Sequence, residues 1–294
     1  MARYGIAIDT SACMACYNCF VACKDEHCGF DTTVSKAQPH TGQFWIKIDE
    51  WERGDDDRKI KTATVATPCS HCTDGACEKA AEGGAVYRRD DGIVIIDPEK
   101  AKGQKQIADA CPIGAVYWNE ALELPQKCTM CAHLLDEGYK EPRCVEVCPN
   151  GALFFGDLDD PNSTVSKKIA AGKITQLKAL EGVRTNVIHL NIPTVFFAGS
   201  VYLPGDEAGD EAADGAVVTL RKIGDSDEDS GGGATNGAVA ETKTNYFGDF
   251  EFEDLEKDAR YELHIAYPGY QAVTLTKTAD TDHFLGEFIL ESLR

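Results

Sequence analysis

Cysteine is missing from all of residues 149–294, so the second half of the chain has neither a thiolate metal site nor a disulfide. Long apolar runs are missing throughout. The most apolar piece, "IPTVFFAGSVYL" (Ile192 to Leu203), is interrupted by Pro193 and falls short of the roughly 18 residues needed to cross a bilayer. Positive charge is scarce, with 29 Lys and Arg against 49 Asp and Glu and a net charge of −20. Such a surface repels nucleic acid and anionic membranes, so neither is expected as a partner. The start, "MARYGIAIDT", has no basic segment leading into an apolar run. A soluble, cytoplasmic chain is therefore expected, the alternative being export in the folded state with a signal-bearing partner. No nucleophile paired with a base and no phosphate-binding loop stands out, so no catalytic residue is expected.

What the chain does have is thirteen cysteines, all between Cys13 and Cys148. In a chain of 294 residues that is not visibly secreted, they read as metal ligands rather than a disulfide framework. "CMACYNCFVAC" carries Cys13, Cys16, Cys19 and Cys23 at spacings of two, two and three residues. "CSHCTDGAC" carries Cys69, Cys72 and Cys77, and "CTMC" with the later "CVEVCP" carries Cys128, Cys131, Cys144 and Cys148. Three thiolates at three-residue intervals suit the irons of a cubane. Zinc prefers two separated C-x2-C pairs, so the crowding of the first loop disfavours it.

In two-cluster ferredoxins the fourth cysteine of each loop ligates the other cluster. Pairing the first and last groups under that rule predicts one cubane on Cys13, Cys16, Cys19 and Cys148. It predicts a second on Cys128, Cys131, Cys144 and Cys23, and the middle groups then give a third on Cys69, Cys72, Cys77 and Cys111. A fourth would need residues 81, 101, 104 and 107, which are Ala81, Ala101, Gln104 and Ile107. All four ligands of one site are absent together, while all four of its neighbour are kept. The pattern predicts a fold built for four clusters with one site emptied. Cys28 is left over and reads as a non-ligand thiol. His27, His71 and His133 read as hydrogen-bonding or packing neighbours of the clusters.

"CPIGAVYW", "CPNGALFF" and the cysteine-free "EGGAVYRR" form an internal repeat, each a turn followed by a short apolar strand. "GAVYRRDDGIVIID" predicts a hairpin turning at "DDG". Residues 161–186 predict a connector helix capped by Asn162 or Ser163 and available to lie on a partner. From 187 onward, short alternating runs separated by Gly, Asp and Pro predict an all-β sandwich of Ig-like or transthyretin-like kind, with a flexible acidic loop over 224–237. The expected architecture is α+β, with a duplicated bacterial-ferredoxin-like cluster domain over 1–160, the connector over 161–186 and the sandwich over 187–294.

With "CTMCAHLL" and "CPNGALFFGDLDDPNS" in place, the chain resembles the electron-transfer small subunits of DMSO-reductase-family molybdenum enzymes. The emptied site, "TNYFGDFEF", "AVYRRDDGIVIIDPEKAKG" and "QKCTMCAHLLDEG" make it similar to the small subunits of pyrogallol–phloroglucinol transhydroxylase and catechol dehydroxylases. The resemblance implies a heterodimer with a large catalytic subunit that holds molybdenum on two pterin guanine dinucleotides and acts on polyhydroxylated aromatics. A soluble electron donor is a further implied partner. The alternatives are a free-standing polyferredoxin, the small subunit of another molybdenum or tungsten oxidoreductase, and a zinc-bound interaction module.

Overall fold

The computed structural model describes residues 2–206, 209–223 and 240–293, and the expected acidic loop at 224–237 lies outside the described residues. The chain divides into two compact units, one of residues 1–51 and 63–192, the other of residues 52–62 and 193–294. Together they form an α+β fold with a C-terminal β-sandwich.

The first unit contains β1 (Tyr4–Asp9), α1 (Asn18–His27) and the bases of the hairpin β2 (Ile46–Arg53) and β3 (Lys61–Pro68). It continues through α2 (Ala76–Ala80), β4 (Val86–Arg88), β5 (Val94–Ile96), α3 (Gln106–Asp109), β6 (Val116–Asn119) and β7 (Leu124–Lys127). It ends with α4 (Ala132–Asp136), α5 (Arg143–Glu146), β8 (Leu153–Asp157), α6 (Thr164–Ala171), β9 (Ile174–Thr175) and β10 (Val187–Leu190). The apolar run of β1 takes the centre of a four-stranded sheet ordered β8-β1-β10-β9, antiparallel to β8 and parallel to β10. Alternation along β1 sends Ile6 and Ile8 into the core shared with the cysteine loops, and Ala7 to the opposite face against Val165 of α6. The "DDG" hairpin forms as expected between β4 and β5, closed by Arg89 N–H to Ile93 C=O at 2.8 Å.

The connector region is shorter in helix than the sequence predicts. Ser163 caps α6 by accepting from Ser166 N–H at 3.1 Å, but the helix ends at Ala171. Lys168 of α6 reaches the buried Asp9 carboxylate at 2.8 Å, which holds the helix on the first unit's own sheet. Residues 187–190, expected to open the sandwich, instead form β10 beside β1, and the two units divide at Ile192/Pro193. The misplaced boundary has a simple cause. "VIHL" has the composition of a sandwich strand, and composition says nothing about which sheet a strand joins.

The second unit holds β11 (Val195–Asp206), β12 (Gly209–Ala212), β13 (Val217–Ile223), β14 (Ala240–Lys243), β15 (Asp249–Leu255), β16 (Arg260–Ala266), β17 (Val273–Thr278) and β18 (His283–Ile289). One sheet is ordered β14-β13-β16-β17. The other is built on the long β11, which pairs with β15 and β12 and lies parallel to β18. Alternating residues meet between the sheets: Phe197, Val201, Val218, Leu220, Phe250, Phe252, Leu263 and Ile265. Residues 52–62 belong to this unit through Arg53, whose guanidinium forks onto Asp282 at 2.8 and 3.1 Å and also donates to Thr194 C=O. Asp282 Oδ1 accepts from Phe196 N–H at 2.9 Å as well.

Removing the carboxylate takes the counter-charge from the Arg53 guanidinium and the acceptor from Phe196 N–H in a largely buried place. Asp282→Ala should destabilise the second unit by about 3 kcal/mol, and Arg53→Met by less, because it leaves an acceptor still served by Phe196. Hydrogen exchange of the amides at 52–62 in the full chain checks this: equal protection in Asp282→Ala and the parent would contradict it.

Candidate metal centres

Two helices carry the crossing that the spacing predicts. Cys19 and Cys23 lie one turn apart on α1, and Cys144 on α5 precedes Cys148 by the same interval. Residues four apart share a helix face, so packing α1 on α5 interleaves two sets of thiols. Cys13, Cys16, Cys19 and Cys148 line one void. Cys23, Cys128, Cys131 and Cys144 form a second set, all buried. Cys69, Cys72, Cys77 and Cys111 line a further void.

Burial dominates the chemistry of these thiols. It pushes Cys19, Cys77 and Cys128 up to about 11, and Cys72 and Cys131 up to about 12. Cys23 and Cys144 are driven well above the ordinary thiol range, again chiefly by burial and then by neighbouring cysteines. Such groups stay protonated without a metal, so loading them releases protons. Among the described residues no three His, Cys, Asp or Glu converge tightly enough for a single ion. Thiols spread around voids suit a polynuclear cluster better than tetrahedral zinc.

The backbone fits such a cluster too. Ala15, His71 and Met130 each stand two residues after the first cysteine of a C-x2-C pair, and all are left-handed, with φ of 54°, 45° and 53°. Non-glycine residues avoid that region, and its use at the same offset three times marks loops curled to turn their amides inward. Met130 N–H donates to Cys128 Sγ at 3.3 Å, and His71 N–H lies 3.5 Å from Cys69 Sγ. Four residues past the closing cysteines, Ala115 N–H donates to Cys111 Sγ at 3.3 Å and Ala152 N–H to Cys148 Sγ at 3.2 Å.

The predicted empty site keeps this backbone and rewires it. Gly103, two residues after Ala101, has φ of 79°, and Gly84, three after Ala81, has φ of 69°, beside 60° and 59° at Gly114 and Gly151. Gly103 N–H bonds Glu123 C=O at 2.8 Å, and Ala85 N–H bonds Glu82 C=O at 3.1 Å, where the cysteine-bearing loops offer sulfur. Ala101 and Ile107 are fully buried and pack with Ala81, Val86, Ile96, Val116 and Leu124. Gln104 spans the two loops: Oε1 accepts from Glu82 N–H at 2.8 Å, and Nε2 donates to Lys100 C=O at 2.8 Å and Glu82 C=O at 3.3 Å. An apolar plug and an amide clamp thus hold α2 and α3 together at this place.

Cys28 stands apart from all three sets, with Sγ 3.3 Å from His40 Nδ1. His27 Nε2 lies 3.6 Å from Cys131 Sγ, and His133 Nε2 is 3.0 Å from Glu26 Oε1. Sequence reasoning missed Lys127, which is almost wholly buried and donates to Val94 C=O at 2.5 Å and Cys128 C=O at 3.0 Å. A lysine directly before the first cysteine of a C-x2-C pair was the available signal. A cavity of about 660 Å³ lies away from these thiols, against α6 and β10.

The profile of the 4Fe-4S dicluster domain family matches residues 60–158. The chain is 36% identical over 275 residues to the pyrogallol hydroxytransferase small subunit of Pelobacter acidigallici, covering 92% of each chain. It is 33% identical over 220 residues to a Halobacterium salinarum protein named as a putative iron-sulfur subunit of dimethyl sulfoxide reductase, covering 65% of this chain and 80% of that one. It is 28% identical over 197 residues to a subunit of the tetrathionate reductase of Salmonella typhimurium, covering 66% and 74%.

Cys111→Ala should lower the iron of anaerobically purified protein by about one third and leave the cluster on Cys13, Cys16, Cys19 and Cys148 intact. Iron analysis with electron paramagnetic resonance checks it. Loss of the Cys13 cluster instead would break the pairing.

Proposed function

We propose a function from one premise: the chain belongs to the iron–sulfur small subunits of the DMSO-reductase family of molybdoenzymes. It is the electron-transfer subunit of such an enzyme, and its own role is non-catalytic. Its partner is a large molybdopterin subunit. When bound, the clusters supply one-electron relay chemistry. Everything else here is the work of this chain's residues, which hold, space and insulate.

The observation that carries the reading is the succession of three thiol sets through the first unit. Cys19 and Cys23 share a helix face and so join the first set to the second. Burial and then the neighbouring Cys69 push up the Cys128 thiol, which joins the second set to the third. The middle set is buried throughout, while Cys16 of the first set is exposed beside exposed Met14, Tyr17 and Val21. Such a row opens at one end through an apolar patch, which suits a partner that exchanges electrons there. Among the described residues no helix is long and apolar enough to cross a membrane.

The substrate class is proposed to be polyhydroxylated aromatics, with hydroxyl transfer or reductive dehydroxylation as the reaction. The support is that the likeness to the pyrogallol hydroxytransferase small subunit runs over both units, whereas the likeness to the sulfoxide and tetrathionate reductase subunits covers about two thirds of the chain.

Affinity purification under anaerobic conditions should bring down a large subunit containing molybdenum, and the complex should turn over pyrogallol. Clusters reduced beforehand and reoxidised by pyrogallol would mark dehydroxylation. Turnover without reoxidation would mark hydroxyl transfer. A chain that purifies alone with its clusters would favour the free carrier, and turnover of sulfoxides or tetrathionate without polyhydroxybenzenes would overturn the substrate.

A further inference from the structure

The third set of cysteines has surroundings that the first lacks. His71 sits between Cys69 and Cys72, lines their void, and is completely buried. Val94 N–H donates to His71 Nδ1 at 3.0 Å. A nitrogen that accepts a hydrogen bond carries no proton, so the neutral ring has its proton on Nε2. Nε2 has no partner among the described residues, and neither does the buried Ser70 hydroxyl beside it, which lines the same void. A buried donor left unmatched is costly, and two adjoining ones facing a ring of thiols need an acceptor. Lys127 lines this void as well, and two of its three N–H groups are spent on backbone carbonyls. Glu78, the one carboxylate among the lining residues, lies 3.8 Å from the Arg88 guanidinium. Of the first set's void, by contrast, every lining residue is uncharged and none is a histidine.

We propose that His71 Nε2–H, with the Ser70 hydroxyl as second donor, hydrogen-bonds the sulfur of the cluster held by Cys69, Cys72, Cys77 and Cys111, so that this cluster has a higher reduction potential than the one held by Cys13, Cys16, Cys19 and Cys148. The inference rests on the reading of these residues as cluster ligands. The physical cause is charge. A reduced cluster carries one more negative charge than the oxidised one, and donors to sulfur and a buried cation favour the reduced form. His71 is a positioning residue. The peptide of Val94 fixes its tautomer and its ring, and the neutral donor needs no change of protonation to act.

The test is an anaerobic redox titration of the full protein, with its partner where one co-purifies, followed by electron paramagnetic resonance. Signals are assigned by their loss in Cys111→Ala. His71→Leu should lower the midpoint of the third cluster and leave the first unchanged. His71→Gln, which keeps a donor, should fall between parent and Leu, and Ser70→Ala should give a smaller drop. Should His71→Leu fail to hold the cluster, pulsed measurements on the parent protein labelled with 15N-histidine decide the matter. A hyperfine coupling from a histidine nitrogen to the third cluster supports the proposal, and its absence overturns it. An unchanged midpoint in His71→Leu with full iron content also overturns it. Full iron in Cys111→Ala would instead sink the ligand reading underneath.

Discussion

A buried thiol is tolerable and a buried bare thiolate is not. The first unit gathers twelve cysteines into three sets, and burial pushes up every thiol whose shift is resolved there. Loops this rich in left-handed, non-glycine residues, with small helices of four or five residues between them, bury little apolar surface of their own. Thiolate ligation to iron would supply both the charge compensation and the cross-link. Each set draws its cysteines from segments far apart in sequence, Cys13 to Cys19 with Cys148, Cys23 with Cys128 to Cys144, and Cys69 to Cys77 with Cys111, so a bound cluster would cross-link them. The second unit has no such need, because its two sheets meet over a core of phenylalanine, valine, leucine and isoleucine.

The place where the spacing would put a fourth cluster is filled by side chains. Ala81, Ala101 and Ile107 turn a polar cage into an apolar plug, and full burial of an isoleucine side chain is worth about 1.5–3 kcal/mol. Gln104 bridges the two loops through both ends of its amide. The glycines at 84 and 103 keep the left-handed turns of the ligand-bearing repeats. The amides that meet sulfur elsewhere bond carbonyls here. The backbone here shares the left-handed turns of the cysteine-bearing repeats and encloses an ordinary small core.

Much of this was legible in the sequence because cysteine spacing is a discrete signal. Counting four residues back from Cys111, then three and three again, reaches Ile107, Gln104 and Ala101, none of them a cysteine, and the i, i+4 relation on α1 puts Cys19 and Cys23 on one helix face. The hairpin at Asp90–Gly92 and the cap at Ser163 were legible through turn and capping chemistry. The unit boundary was not, because pairing of β10 with β1 is a contact across some 180 residues that local texture does not encode. Lys127 and the tautomer of His71 were also out of reach. Both depend on which backbone groups of β5 stand opposite, and that is a property of packing. Gln104 looked like a lost ligand and proved to be a clamp, since a single letter records an absence and not its replacement.

Three cubanes in a fold built for four is the claim on which the rest stands. Iron and acid-labile sulfide per chain, measured on anaerobically purified protein together with Mössbauer spectra of the bound iron, test it most directly. The expected result is about 12 iron and about 12 sulfide per chain, all in cubane environments. About 16 of each would mean that the plugged site is occupied after all, and zinc in place of iron would contradict the reading of every cysteine set.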